Sequence, residues 1–177
     1  GWWTSEDEGK LLRRFIEGPA KSWFSSFQIS AAYGVFELPE VPELEDLSTG
    51  CFLHIGFSND NRDVYTKTGV HIAAARLQSV IRSFPSRQCE GFMTYNESFG
   101  DHYNAFIASQ LGWNSESSLR ELTSFYCRMI LGLRGQHLQT MVDILLDMQY
   151  LEQAKAEKWA KRLDGLNPFV KVHPLQQ

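Results

Sequence analysis

Apolar positions recur along the chain with two different periods, and the change from one to the other divides it. Ser5 stands three residues ahead of Glu8, the spacing of a capping box, and Leu11, Leu12, Phe15 and Ile16 then share one helical face, which predicts a helix from Ser5 to Glu17 closed by Gly18-Pro19. The aromatic-rich stretch from Ser22 to Phe36 (Trp23, Phe24, Phe27, Tyr33, Phe36) fits neither period and reads as a short strand or helix plus loop. Pro39 and Pro42, set among Glu40, Glu43, Glu45 and Asp46, make Leu38 to Leu47 a loop, since proline at that density interrupts either regular element.

The apolar run Cys51–Phe57 empties into the polar cluster Ser58–Asp63 and predicts a buried strand. A helix follows from Thr68 to Phe84, with Val70, Ala73, Ala74, Leu77, Val80, Ile81 and Phe84 spaced at three and four and Pro85 closing it. Cys89 to Tyr95 predicts a second buried strand ending in Asn96-Glu97-Ser98, and Gly100-Asp101 leads into a helix with Phe106, Ile107 and Leu111 on its apolar side. Strand, loop, helix, repeated, argues for parallel pairing through crossovers and hence for an α/β architecture. Beyond Gly112-Trp113-Asn114 only helical periods remain: Ser118 to Leu131, opened by a second capping box from Ser118 to Glu121, then Gln136 to Met148, then about Gln149 to Leu163. The expected division is an α/β region over residues 1–115 and a helical extension over 116–177.

Composition narrows the function classes. At 177 residues the chain is one domain, or one with a small appendage, and 43% hydrophobic residues give it ample apolar surface for a packed core. Seventeen Lys and Arg against 21 Asp and Glu leave a charge of -4 with the bases scattered, which argues against nucleic acid. No apolar run has the length of a membrane span, and Glu6, Asp7 and Glu8 do not fit a signal peptide. Cys51, Cys89 and Cys127 are odd in number and lie in apolar stretches, the pattern of buried thiols, so a soluble protein with the cytoplasm slightly favoured is expected. A start at Gly-Trp-Trp without Met fits a processed or excised piece.

In parallel sheets, loops at the carboxyl ends of strands form the site. Two such ends are expected here: one with His54, Asn59, Asp60 and Asp63, the other with Tyr95, Asn96, Glu97, Asp101, His102 and Asn104. A carboxylate at the end of an apolar strand starts partly desolvated, which lifts its pKa toward the range of a general acid, and this singles out Glu97. With Asp60 or Asp63 it supplies the two carboxyl groups of glycoside hydrolysis, one protonating the leaving oxygen while the other attacks or activates water. His54, Asn59, Tyr95, Asn96, Asp101, His102 and Asn104 are the candidate substrate contacts. The competing role for Glu97 and Asp101 is to cap the following helix. The histidines show no metal-ligand spacing and no phosphate-cradling or nucleophile motif is present, so neither metal nor cofactor is expected.

Cys89-Glu-Gly-Phe-Met-Thr-Tyr-Asn-Glu-Ser-Phe-Gly-Asp-His-Tyr-Asn104, then Ala108-Ser-Gln-Leu-Gly-Trp-Asn114 and Phe125-Tyr-Cys-Arg-Met-Ile-Leu-Gly132, resembles the end of the catalytic barrel in a group of bacterial glycoside hydrolase-like proteins. The resemblance implies a fold that is the C-terminal portion of a (β/α) barrel followed by a helical extension. It places Glu97 at the glutamate of the turn after the strand, Asp101 and Asn104 at the helix start, and Trp113 at the junction aromatic. Asn96 and Ser98 stand where the group has Ser and Gly, and His102 replaces an acidic residue. A complete barrel needs about 200 to 250 residues, so the resemblance further implies a carbohydrate ligand and a second polypeptide or missing segment that completes the barrel, or a homodimer. Two other readings stand beside it: a non-catalytic carbohydrate-binding or assembly subunit docking through its helices, and a self-sufficient helix-rich domain in which the apolar runs are not strands.

Overall fold

The computed structural model describes residues 26–31, 48–56, 72–85, 89–96, 101–148 and 153–166, together with Arg14 and Gly18. The helix expected at Ser5 to Glu17 and the loop at Leu38 to Leu47 therefore lie outside the described residues, except for Arg14, which is helical.

Three strands form one sheet: β1 (Ser26–Ala31), β2 (Ser48–Gly56) and β3 (Cys89–Asn96), in the order β1-β2-β3 with both pairings parallel. Five helices are described: α1 (Ala74–Arg82) between β2 and β3, α2 (His102–Trp113) after β3, and then α3 (Leu119–Met129), α4 (Gly135–Met148) and α5 (Gln153–Leu166). The protein is thus α/β with a small parallel sheet and a helical C-terminal half, and the alternative in which the two apolar runs are helices is set aside.

Thr49, Cys51, Leu53 and Ile55 alternate along β2 and are buried on one face of the sheet, beneath α2. Phe52, between them, is only half-buried. The expectation of two buried strands is corrected most clearly at β3, where Met93 is 48% and Tyr95 37% exposed. The physical reason is coverage. β3 has β2 on one side and no described strand on the other, and only its Cys89 and Phe92 pack against the core, Phe92 on Phe84 at 5.5 Å between ring centroids. At Gly112 in α2 a Cβ would stand 3.0 Å from the Phe92 ring, so the absence of a side chain lets that helix lie close to β3.

α2 packs against the sheet and against α1 and α3, while His102, Ser109, Gly112 and Trp113 stay exposed. Ile107, Ala108 and Leu111 are buried, while Tyr103 and Phe106 reach α3 through ring contacts with Tyr126. Ser118 caps α3 by accepting a hydrogen bond from the Glu121 amide at 3.4 Å, as the capping-box spacing predicts. One cluster of buried side chains runs from Cys51, Leu53 and Ile55 through Leu77, Ile107 and Cys127 to Val142, Ile144, Trp159 and Leu166. The helical extension shares its core with the sheet region. None of the three cysteines is in a disulfide, with Cys51 and Cys127 buried and Cys89 half-buried.

Candidate functional site

The carboxyl ends of β2 and β3 lie side by side: His54 is in register with Tyr95, and Gly56 with Asn96. Adjacent strands are about 4.8 Å apart, so the chain leaves the sheet toward residues 57–71 and toward Glu97 from neighbouring points. Asn59, Asp60, Asp63 and Glu97 themselves lie outside the described residues.

The register shifts between His54 and Gly56, so Ile55 has no partner on β3, and it lies past the end of the β1 pairing at Leu53. Bulges of this kind end pairing and redirect the chain. The Ile55 carbonyl is instead met by Asn104 in the first turn of α2, whose Nδ2 donates to it at 3.1 Å. Asn104 Oδ1 in turn accepts from the Ala73 amide at 2.9 Å. Asn104 is fully buried. The sequence proposes it as a ligand contact; the structure shows its amide tying the end of β2 to the start of α1.

Asp101 occupies the N-cap position of α2 and is fully buried, yet its side chain makes no capping bond to that helix, so the capping role considered for it is not the one it fills. His102, the first helical residue, is exposed and leans on α3, its Nδ1 at 3.2 Å from the Tyr126 hydroxyl and the two rings 5.7 Å apart. Tyr95 stacks obliquely on Phe52 at 5.7 Å across the sheet face opposite the helices. His54 and Asn96 are described as backbone on their strands. The structure therefore gathers His54, Tyr95, Asn96, Asp101, His102 and Asn104 at one end of the sheet, with His102 turned toward α3.

Several polar residues in this region carry no sequence signature of their own. Tyr103 OH lies 2.7 Å from Thr123 Oγ1, and Thr123 donates its single hydroxyl proton to the Leu119 carbonyl at 2.6 Å, so Tyr103 is the donor in the pair. Burial raises the Tyr103 phenol far above its ordinary value, and burial also raises Tyr126. Burial pushes the Cys127 thiol up to about 12. Gln78, inside the apolar stripe of α1, donates from Nε2 to the carbonyls of Ser115 and Ser117 at 2.9 and 2.8 Å and thereby anchors the α2–α3 turn. The only hint in the sequence is an amide beside Leu77, Val80 and Ile81. Among the described residues no group of His, Cys, Asp and Glu is arranged to hold a metal ion, and no helix is long and apolar enough to cross a membrane.

Fold and site together define an α/β protein with a small parallel sheet whose strands β2 and β3 end side by side. Compared with protein-family models, curated proteins and solved structures, the chain matches none of them.

Proposed function

We propose that this chain is the C-terminal portion of a carbohydrate-active (β/α) barrel with a helical extension. In this reading it acts as a glycoside hydrolase once a second polypeptide or further segment closes the barrel. Glu97 is the general acid that protonates the leaving oxygen, and Asp60 or Asp63 is the carboxylate that attacks the anomeric carbon or activates water. His54, Asn59, Tyr95, Asn96 and His102 hold sugar hydroxyls, Asp101 and Asn104 being fully buried, and this chemistry needs neither metal nor organic cofactor.

The observation that carries the reading is the parallel pair β2 and β3, with Gly56 and Asn96 in register at their carboxyl ends, from which the chain continues toward Asp60 and Asp63 on one side and Glu97 on the other. Strand order is compatible with it. In β1-β2-β3 each strand lies beside its predecessor, an order that a stretch of barrel shares with one half of a doubly wound sheet. The sheet face away from the helices also fits, because in a closed barrel the half-exposed Phe52, Met93 and Tyr95 become interior layers.

The test begins with the natural protein isolated under native conditions, followed by a screen on aryl glycosides. A companion polypeptide or longer parent chain is expected, with turnover that falls about 100- to 10,000-fold in Glu97→Gln while sugar binding persists. A lone 20.3 kDa monomer that turns over no glycoside and binds no sugar overturns the proposal. The second reading, a non-catalytic binding or assembly subunit, is favoured by one observation: Trp113, Phe125 and Met129 on α2 and α3 are exposed, at 91%, 46% and 59%. Sugar binding with no turnover in the wild-type assembly is its signature.

A further inference from the structure

Asn104 is the most committed polar side chain in the described core. It sits in the first turn of α2 with no exposed surface, and its amide bonds to backbone groups 49 and 31 residues away. A buried amide is tolerated only where its donors and acceptors are met, and a leucine would fill such a site without that demand. Both backbone partners lie where regular structure leaves them without one. Ile55 is skipped by the β2–β3 register. Ala73 immediately precedes α1, and alanine has no side chain with which to cap a helix start. The Ala73 carbonyl serves the helix by accepting from the Leu77 amide at 2.9 Å, and its amide is served from outside by Asn104.

We infer that Asn104 is a positioning residue: one amide fixes where the chain leaves β2 against where it enters α1, and so sets the two ends of residues 57–71 relative to the helix that follows Glu97. Its importance for catalysis rests on the functional reading above; the bracket itself does not. The geometry demands a donor toward Ile55 and an acceptor toward Ala73 from the same side chain. Aspartate supplies both only while protonated, since the ionised form presents a second oxygen to the Ile55 carbonyl. Asn104→Asp is therefore expected to repeat the native bracket in acid and lose it as the pH rises, behaviour that a space-filling role does not produce.

Other ionisable groups surround the position. On the neighbouring stretches of chain they are Asp101, His102 and Tyr103 within three residues of it, Cys51 on β2, Arg76 on α1, and Tyr126 and Cys127 on α3. Burial keeps Tyr103, Tyr126 and Cys127 protonated through neutral pH.

The experiment follows exchange protection of the Ala73 amide by NMR in the full chain, corrected for intrinsic rates, with the Val142 amide in α4 as a global control. Wild type, Asn104→Leu and Asn104→Asp are compared at about pH 4.5 and pH 8, either side of the range into which a buried carboxyl is raised. In Asn104→Leu, Ala73 protection is expected to drop roughly tenfold or more at both pH values, with Val142 changing less. In Asn104→Asp it is expected to stay within about threefold of wild type in acid and to fall at pH 8. Unchanged protection in both variants, a loss in Asn104→Asp that is equal at both pH values, or an equal fall at Val142 each overturns the inference. No readout involves a sugar, so a failed glycosidase screen sinks the functional reading and leaves this one standing.

Discussion

Replacing Gln78 by alanine tests how the helical layer is held, and the structure sets the size of the effect. Gln78 is 8% exposed, and its Nε2 donates to Ser115 O at 2.9 Å and Ser117 O at 2.8 Å. A net hydrogen bond contributes about 0.5 to 1.5 kcal/mol, so two give about 1 to 3 kcal/mol. Two corrections remove the upper part of this range. The Ser115 carbonyl keeps a bond from Arg82 Nε at 3.2 Å, and alanine is the better helix former by a few tenths of a kcal/mol. The expected loss is about 2 kcal/mol. At about 2 kcal/mol per molar urea it lowers the unfolding midpoint by about 1 M.

Arg82→Ala is the internal comparison, because that side chain touches the same turn. Its ion pair with Glu116 at 2.8 Å joins groups 44% and 70% exposed, and such pairs contribute about 0 to 1 kcal/mol. Urea unfolding followed by circular dichroism should therefore rank Gln78→Ala well below Arg82→Ala in stability, with unchanged slope. If Arg82→Ala costs more, or Gln78→Ala costs less than about 0.5 kcal/mol, the turn is not held by buried amide bonds and the assignment fails.

Tyr103, Tyr126 and Cys127 all keep their protons in the fold at pH values where the unfolded chain releases them, so their contribution is whole below about pH 9 and is lost as the pH climbs from 9 toward 12. Urea midpoints should decline over that window, and a midpoint that rises there contradicts the burial argument. Cys127, wholly buried with its thiol pushed up to about 12, should resist iodoacetamide in the native protein at pH 8 and react only on unfolding. Peptide mapping that finds Cys127 alkylated before Cys89 refutes this.

Elements with strong local pattern were legible in the sequence. β2 and β3 fall on the two apolar runs, and α3 begins at the Ser118 capping box. What local pattern cannot supply is the partner at a distance. The apolar period from Thr68 onward predicts a helix already at residue 68, yet Ile72 and Ala73 are not helical and α1 starts at Ala74, because the Ala73 amide is drawn to Asn104, 31 residues later. Asp101 and Asn104 look alike as polar residues at a helix start, and only the folded chain separates a bracket at Asn104 from a buried N-cap side chain that does not cap. Burial of β3 was overestimated for a related reason: an apolar run records what a strand can bury, while its exposure depends on how many neighbours the sheet provides. The carboxylates Asp60, Asp63 and Glu97 remain sequence-based assignments, now attached to strand ends that lie side by side.

The four methionines can separate the two functional readings in one experiment. Met93 lies on the open sheet face at 48% exposure and Met129 on the outer side of α3 at 59%, while Met141 is buried and Met148 half-buried. Mild peroxide should thus convert Met93 and Met129 to sulfoxides in the isolated chain, with Met141 spared, since oxidation follows access to the sulfur. A parallel sheet is stable chiefly when both faces are covered, so closure of a barrel over β2 and β3 shields Met93 and leaves Met129 reactive. Docking through the helices does the reverse, because Met129 shares α3 with the exposed Phe125. Comparing sulfoxide yields in the isolated chain and in the native assembly reads out which face is occupied. Protection of neither residue in an assembly that contains a partner excludes both surfaces, and with them both readings of how this chain is completed.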